Sequence, residues 1–157
     1  MVVVIEIVRQ AHVDAPVDDV WAKVSDAVRA PEWFAFAERV EVRAGDGLGQ
    51  LRTQHGRWGG KPAEVDQEVI AFEPGRLLAW RHVEERLNGK PAPKFAASTE
   101  FRIELAQEDG GTSVTLRSLQ EPAGRVKGWL MKAFGAKDVA KAMETSLARL
   151  SGEELGQ

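Results

Sequence analysis

The chain has no cysteine and no tyrosine in its 157 residues. Without cysteine it has no disulfide, no thiolate nucleophile and no thiolate metal site. No stretch approaches the roughly 20 consecutive apolar residues of a membrane-spanning helix, so no integral membrane segment is expected. The opening MVVVIEIVRQ has an apolar run too short for the core of a secretory leader, with Glu6 inside it and no basic residues before it. A soluble, cytoplasmic protein is the expectation. A basic excess is also missing: 21 Lys and Arg stand against 24 Asp and Glu, a net charge of −3. That balance offers no electrostatic footprint for nucleic acid. There is no P-loop and no G-x-G-x-x-G between a strand and a helix, so no nucleotide cofactor is indicated. No serine sits in a nucleophile-elbow motif. His12, His55 and His82 never fall in His-x-His or His-x-x-x-His spacing, and no metal is expected.

What remains is ordinary for one globular domain over residues 1–157, with five tryptophans and six phenylalanines. Period-2 alternation marks a first strand, Val2 to Val13, with Val3, Ile5, Ile7, Ala11 and Val13 on one face and Arg9 interrupting it. The period then switches. Pro16 suits a helix start, Asp18 and Asp19 favour its N-terminal dipole, and Val17, Val20, Trp21, Val24 and Val28 form a stripe. Pro31 ends that helix, and a second short one is predicted over Glu32 to Ala37. Strands follow at Arg39–Ala44, Leu48–Trp58, Ala63–Phe72, Leu77–Arg86, Phe95–Ala106 and Thr112–Glu121, separated by Gly- and Pro-containing turns. Leu87 to Lys94 is a polar connection and a candidate mobile lip. From Gly124 to Leu150 the spacing of Trp129, Ala133, Ala136, Ala140, Met143, Leu147 and Leu150 predicts one long amphipathic helix, with a kink near Gly135.

Strand, two helices, about six further strands and a long helix predict an α+β fold. A curved antiparallel sheet of about 6–7 strands grips the C-terminal helix, and the short helix pair closes one end.

Candidate chemistry is sparse. The alternation places His55 and His82 on the cavity side, with Glu84 beside His82, so these are the weak candidates for acid–base catalysis. Arg57, Arg102 and Arg117 are candidate donors to an enolate oxygen. A ligand pocket needs apolar walls and a few polar anchors. Trp58, Trp80, Phe95, Phe101, Trp129, Phe134 and Met143 are the candidate walls, and His55, His82 and Glu84 are the candidate anchors.

Several short stretches share one pattern. VDAPVDDVW (13–21) resembles the I-D-A-P-x-x-x-V-W opening of the SRPBCC superfamily of START-like, helix-grip domains. Pro31-Glu32-Trp33 resembles its P-E-W, Gly47-Leu48-Gly49 its G-x-G turn, VIAFEPGRLLAW (69–80) its V-x-x-x-x-P-x-R-L-x-W, and Gly110 to Thr115 its G-G-T-x-V-T hairpin. Together they cover nearly the whole chain in order. The subset it looks most like is the small bacterial group described as polyketide cyclase/dehydrase and lipid transport. The resemblance implies binding of a hydrophobic small molecule (a lipid, quinone or polyketide-like compound) between sheet and helix, by a monomer or homodimer. Two other functions occur in the superfamily. One is a cyclase/dehydratase-type enzyme using His/Glu chemistry, and the other is an interaction module of the Hsp90-activator-like kind. Fold alone does not choose among them.

Overall fold

The computed structural model describes residues 4–92, 96–125 and 135–152. β1 (Ile5–Val13) leads into α1 (Val17–Val24), a 3-10 turn (Ala27–Arg29) and α2 (Ala30–Trp33). Then come β2 (Arg39–Ala44), β3 (Leu51–Trp58), β4 (Lys61–Glu73), β5 (Leu77–Leu87), β6 (Lys90–Pro91), β7 (Ala96–Glu108), β8 (Gly111–Pro122) and α3 (Ala136–Leu150). The strands form one open antiparallel sheet in the order β1-β8-β7-β5-β4-β3-β2, with β6 paired to β5. This is the expected α+β helix-grip architecture. Among the described residues no helix is long and apolar enough to cross a membrane.

The inner face of the sheet holds the core. Ile7, Val13, Val69, Leu78, Trp80, Phe101, Ile103, Leu105, Val114 and Leu116 pack there with Ala140, Met143 and Leu147 of α3 and Val20 and Val24 of α1. Each fully buried large side chain contributes about 1.5–3 kcal/mol, so this face is where stability is concentrated. Arg9 has inner parity at the margin of that core, and its guanidinium bonds Glu144 of α3 at 2.9 Å. That pairing accounts for the break in β1's apolar pattern. Ser146 of α3 accepts from the backbone N–H of Ala35 at 2.9 Å, pinning the segment after α2 to the helix.

Local chemistry sets the boundaries. α1 ends at Val24, where Ser25 donates its hydroxyl to the Trp21 carbonyl, and Asp26 caps the 3-10 turn through the Val28 N–H. This stops α1 before Pro31. It also leaves Val28 75% exposed, off the predicted stripe. The second helix, expected over Glu32 to Ala37, is instead Ala30–Trp33, with Pro31 in its first turn. The predicted lip is a hairpin. Asn88 and Gly89 both have positive φ, 57° and 78°, as a two-residue primed turn requires. Lys90 and Pro91 then pair back onto Leu87 and Arg86. Residues 126–134, which fall within the predicted C-terminal helix, lie outside the described residues, as do Phe95 and Lys94.

Candidate functional site

The site begins with register. Gln67 of β4 lies opposite Arg52 of β3 on one side and His82 of β5 on the other. Val69 in turn lies opposite Trp80, and Trp80 opposite Phe101. Arg52, Gln67 and His82 therefore form one rung across the inner face, next to the Val69–Trp80–Phe101 rung.

Arg52 is only 6% exposed and Gln67 only 1%. The guanidinium carbon of Arg52 stands 4.4 Å over the Trp80 ring. Its Nε donates to Gln67 Oε1 at 2.9 Å, and Gln67 Nε2 passes the chain on to Gln54 Oε1 at 3.1 Å. Burial with no counter-charge pulls the Arg52 pKa down to about 10. The side chain is still a cation at neutral pH. Two more buried polar residues, Thr99 and Ser118, have inner parity on β7 and β8.

Aromatic rings form the adjoining wall. Trp80 and Phe101 stack with centroids 5.1 Å apart, and Phe34 meets both edge-on at 5.7 and 5.3 Å. Phe36 adds contacts to Phe34 and Phe101 at 4.8 and 5.7 Å. The segment carrying Phe34 and Phe36 crosses close over β3. A Cβ on Gly56 would lie 2.5 Å from the Phe36 carbonyl oxygen, so only glycine fits that approach. The indole N–H of Trp33, whose ring packs on Phe34, is buried with no partner among the described residues.

Beyond His82 the strand is irregular. Gln67 pairs with His82 and Asp66 with Glu84, so Val83 is an extra residue in a β-bulge. The bulge turns Glu84 to the outer face, 3.7 Å from Arg86, and brings Glu85 to His82. Glu84 was the expected neighbour of His82, and the bulge overturns that. His82 Nδ1 is 2.7 Å from Glu85 Oε2. An ionised carboxylate only accepts, so Nδ1 is the donor in this contact. A second bulge between Val69 and Ala71 places Phe72, not Ala71, against Leu78 and the core.

His55 does not share that face. It has the opposite parity to Arg52 and lies in an outer-face ion network, with Nε2 2.6 Å from Glu41 and Nδ1 3.8 Å from Glu64. The hydrogen bond from Arg39, with that of His55, holds the Glu41 carboxyl below its usual range. Nearby, Arg86 grips Asp66 through two bonds of 2.7 and 2.9 Å and pulls its pKa down to about 2. Arg57, Arg102 and Arg117, the donors suggested by sequence, also belong to outer pairs, with Glu38, Glu100, Glu104 and Glu6. No group of three or more His, Asp or Glu suited to a metal occurs among the described residues.

Of the expected wall residues, Trp80 and Phe101 come together and Met143 is wholly buried in α3. Trp58 is 55% exposed at the end of β3. Phe95, Trp129 and Phe134 lie outside the described residues. Two shallow grooves of about 290 and 300 Å³ sit elsewhere, one between β1 and α3 at Arg9 and Ala140, the other around Arg76 and Glu104. Sequence reasoning missed Arg52, Gln67, Glu85 and the Phe34–Phe36 pair. The one available signal was that β3 has no apolar alternation, a pattern unsuited to a plain core strand.

A family model described as "Polyketide cyclase / dehydrase and lipid transport" matches residues 4–153. No curated protein sequence matches the chain significantly. Among solved structures, the ZhuI aromatase/cyclase of Streptomyces sp. R1128 is similar at 18% identity and TM-score 0.72, over 96% of this chain and 93% of that one. The protein TTHA0849 of Thermus thermophilus gives 18% and 0.74 over 95% and 96%. Major latex-like protein 151 of Panax ginseng gives 12% and 0.74 over 97% and 98%. At these identities the likeness shows the fold.

Proposed function

The chain belongs to the polyketide cyclase/dehydrase and lipid transport family, and from that premise we propose that it binds an apolar or aromatic small molecule between the inner face of its sheet and its C-terminal segment. The observation that carries this reading is the mixture of buried groups on that face. Arg52, Gln67, Thr99 and Ser118 are buried beside Trp80 and Phe101. A face built only for stability gains nothing from a buried cation. A pocket needs apolar walls with a few convergent polar groups, and this face supplies both. Titration with the neutral fluorophore N-phenyl-1-naphthylamine tests it. Saturable binding at one site per chain is expected, weakened by Trp80→Ala. A linear, unsaturable signal would remove the pocket.

A second reading, an acid–base enzyme, is supported by one specific observation. Glu85 bonds Nδ1 of His82, and among the described residues nothing bonds Nε2, which can serve as a base on the side of the sheet where Arg52 is buried. A base of that kind can take a proton next to a carbonyl. The solved neighbour named an aromatase/cyclase agrees with such chemistry. On a substrate found by screening enolisable aromatic ketones, His82→Ala should lower the rate at least about a hundredfold. His55→Ala, on the outer face, should leave it unchanged. Equal rates for His82→Ala and the parent chain would take His82 out of the mechanism.

A further inference from the structure

Among the described residues Arg52 has no anionic partner. Its Nε is spent on Gln67 and its face on Trp80. Among the described residues nothing accepts from Nη1 or Nη2, and no carboxylate lies within ion-pair distance. The carboxylates of the neighbouring strands are committed elsewhere. Glu64, Asp66 and Glu68 are paired on the outer face with Arg86 and Arg81, and Glu85 is held by His82. Residues 93–95 and 126–134 contain Lys94, Lys127 and Lys132 and no Asp or Glu.

We infer that the ligand of this site is an acid: an apolar or aromatic body carrying a carboxylate, or an oxyanion of the same shape, that seats on the free edge of the Arg52 guanidinium. The inference rests on the ligand-binding reading and adds the charge of the ligand to it. A guanidinium presents two parallel N–H donors that match the two oxygens of a carboxylate. Gln67 fixes the plane of that fork from behind, because its own amide is oriented by Gln54. Trp80 fixes it from below. A neutral ligand would leave the buried cation uncompensated, and a cationic one would be repelled by it. The stacked Trp80–Phe101 pair is the adjoining surface for the apolar body.

The experiment compares 2-naphthoate with its neutral isostere 2-naphthamide at pH 7, by calorimetric titration of the full chain. Both should bind saturably, with the acid tighter by about tenfold to a hundredfold, the range of a charge-assisted pair. Arg52→Gln should bring the two affinities together. Arg52→Lys, which keeps the charge and loses the fork, should retain part of the preference. Equal affinity for the two probes in the parent chain would overturn the inference and leave the binding reading intact. Failure of both probes to bind would overturn the binding reading and the inference with it. The comparison within the parent chain needs no variant to fold.

Discussion

Replacing Arg52 by methionine should leave the unliganded protein about as stable as before, a result opposite to the usual outcome of deleting a buried, hydrogen-bonded ion. A pKa lowered to about 10 by burial corresponds to roughly 3 kcal/mol held against the charged form at neutral pH. Methionine removes that penalty and fills similar space. It also leaves the buried Gln67 Oε1 without its donor, a cost of about 1–3 kcal/mol, and removes the contact over Trp80, worth about 1–2 kcal/mol. These largely offset the gain, so the expected change lies between a gain of about 1 kcal/mol and a loss of about 2 kcal/mol. Had Arg52 a buried carboxylate partner, its removal would cost about 3–5 kcal/mol. Urea denaturation followed by tryptophan fluorescence measures the difference, with an unchanged m-value confirming that both chains unfold in the same way. A loss of about 3 kcal/mol or more would refute the reasoning. It would mean that a group of the chain itself neutralises Arg52, and that no charge is left for a ligand.

Three further outcomes follow from the fold. Gly56→Ala forces a Cβ against the Phe36 carbonyl and should cost about 2 kcal/mol in the same denaturation assay, where a glycine in an unconstrained strand would gain stability on that change. Ser146→Ala leaves the Ala35 N–H without its acceptor and should cost about 1–3 kcal/mol, read as a lower denaturation midpoint. Asp66 has a folded-state pKa of about 2, because Arg86 stabilises its charged form. Its stabilisation is complete above the unfolded value of about 4 and is lost as pH falls from there towards 2. Asp66→Asn should therefore cost about 1 kcal/mol at pH 7, kept small by solvent screening, and the difference from the parent should vanish near pH 2.

The order of elements was legible because it depends on local signals: alternation in β1, β7 and β8, helix-starting residues at Pro16 to Asp19, and turn residues between strands. The inner residues Ile103, Leu105, Val114 and Leu116 follow from alternation alone. The site was less legible, for two reasons. First, a β-bulge leaves no mark in composition. Val83 carries nothing that announces the extra residue, yet it exchanges Glu84 for Glu85 beside His82. Second, β3 is polar on both faces. Leu51, Thr53 and His55 share one parity, but on the outer side, and the inner side is Arg52, Gln54 and Gly56. Alternation names two faces and does not say which is buried. That choice was made by Trp80 stacking under Arg52 and by Phe36 crossing over Gly56, both contacts between distant parts of the chain.

The central claim is that the inner face between Arg52 and Phe101 receives a ligand. Two-dimensional ¹H–¹⁵N spectra of the labelled chain, titrated with 2-naphthoate, test it most directly. The Arg52 Nε and Trp80 indole resonances should move together and saturate, while amides of the distant β7–β8 turn at Asp109 and Gly110 stay in place. Shifts confined to exposed residues, or none that saturate, would contradict the account.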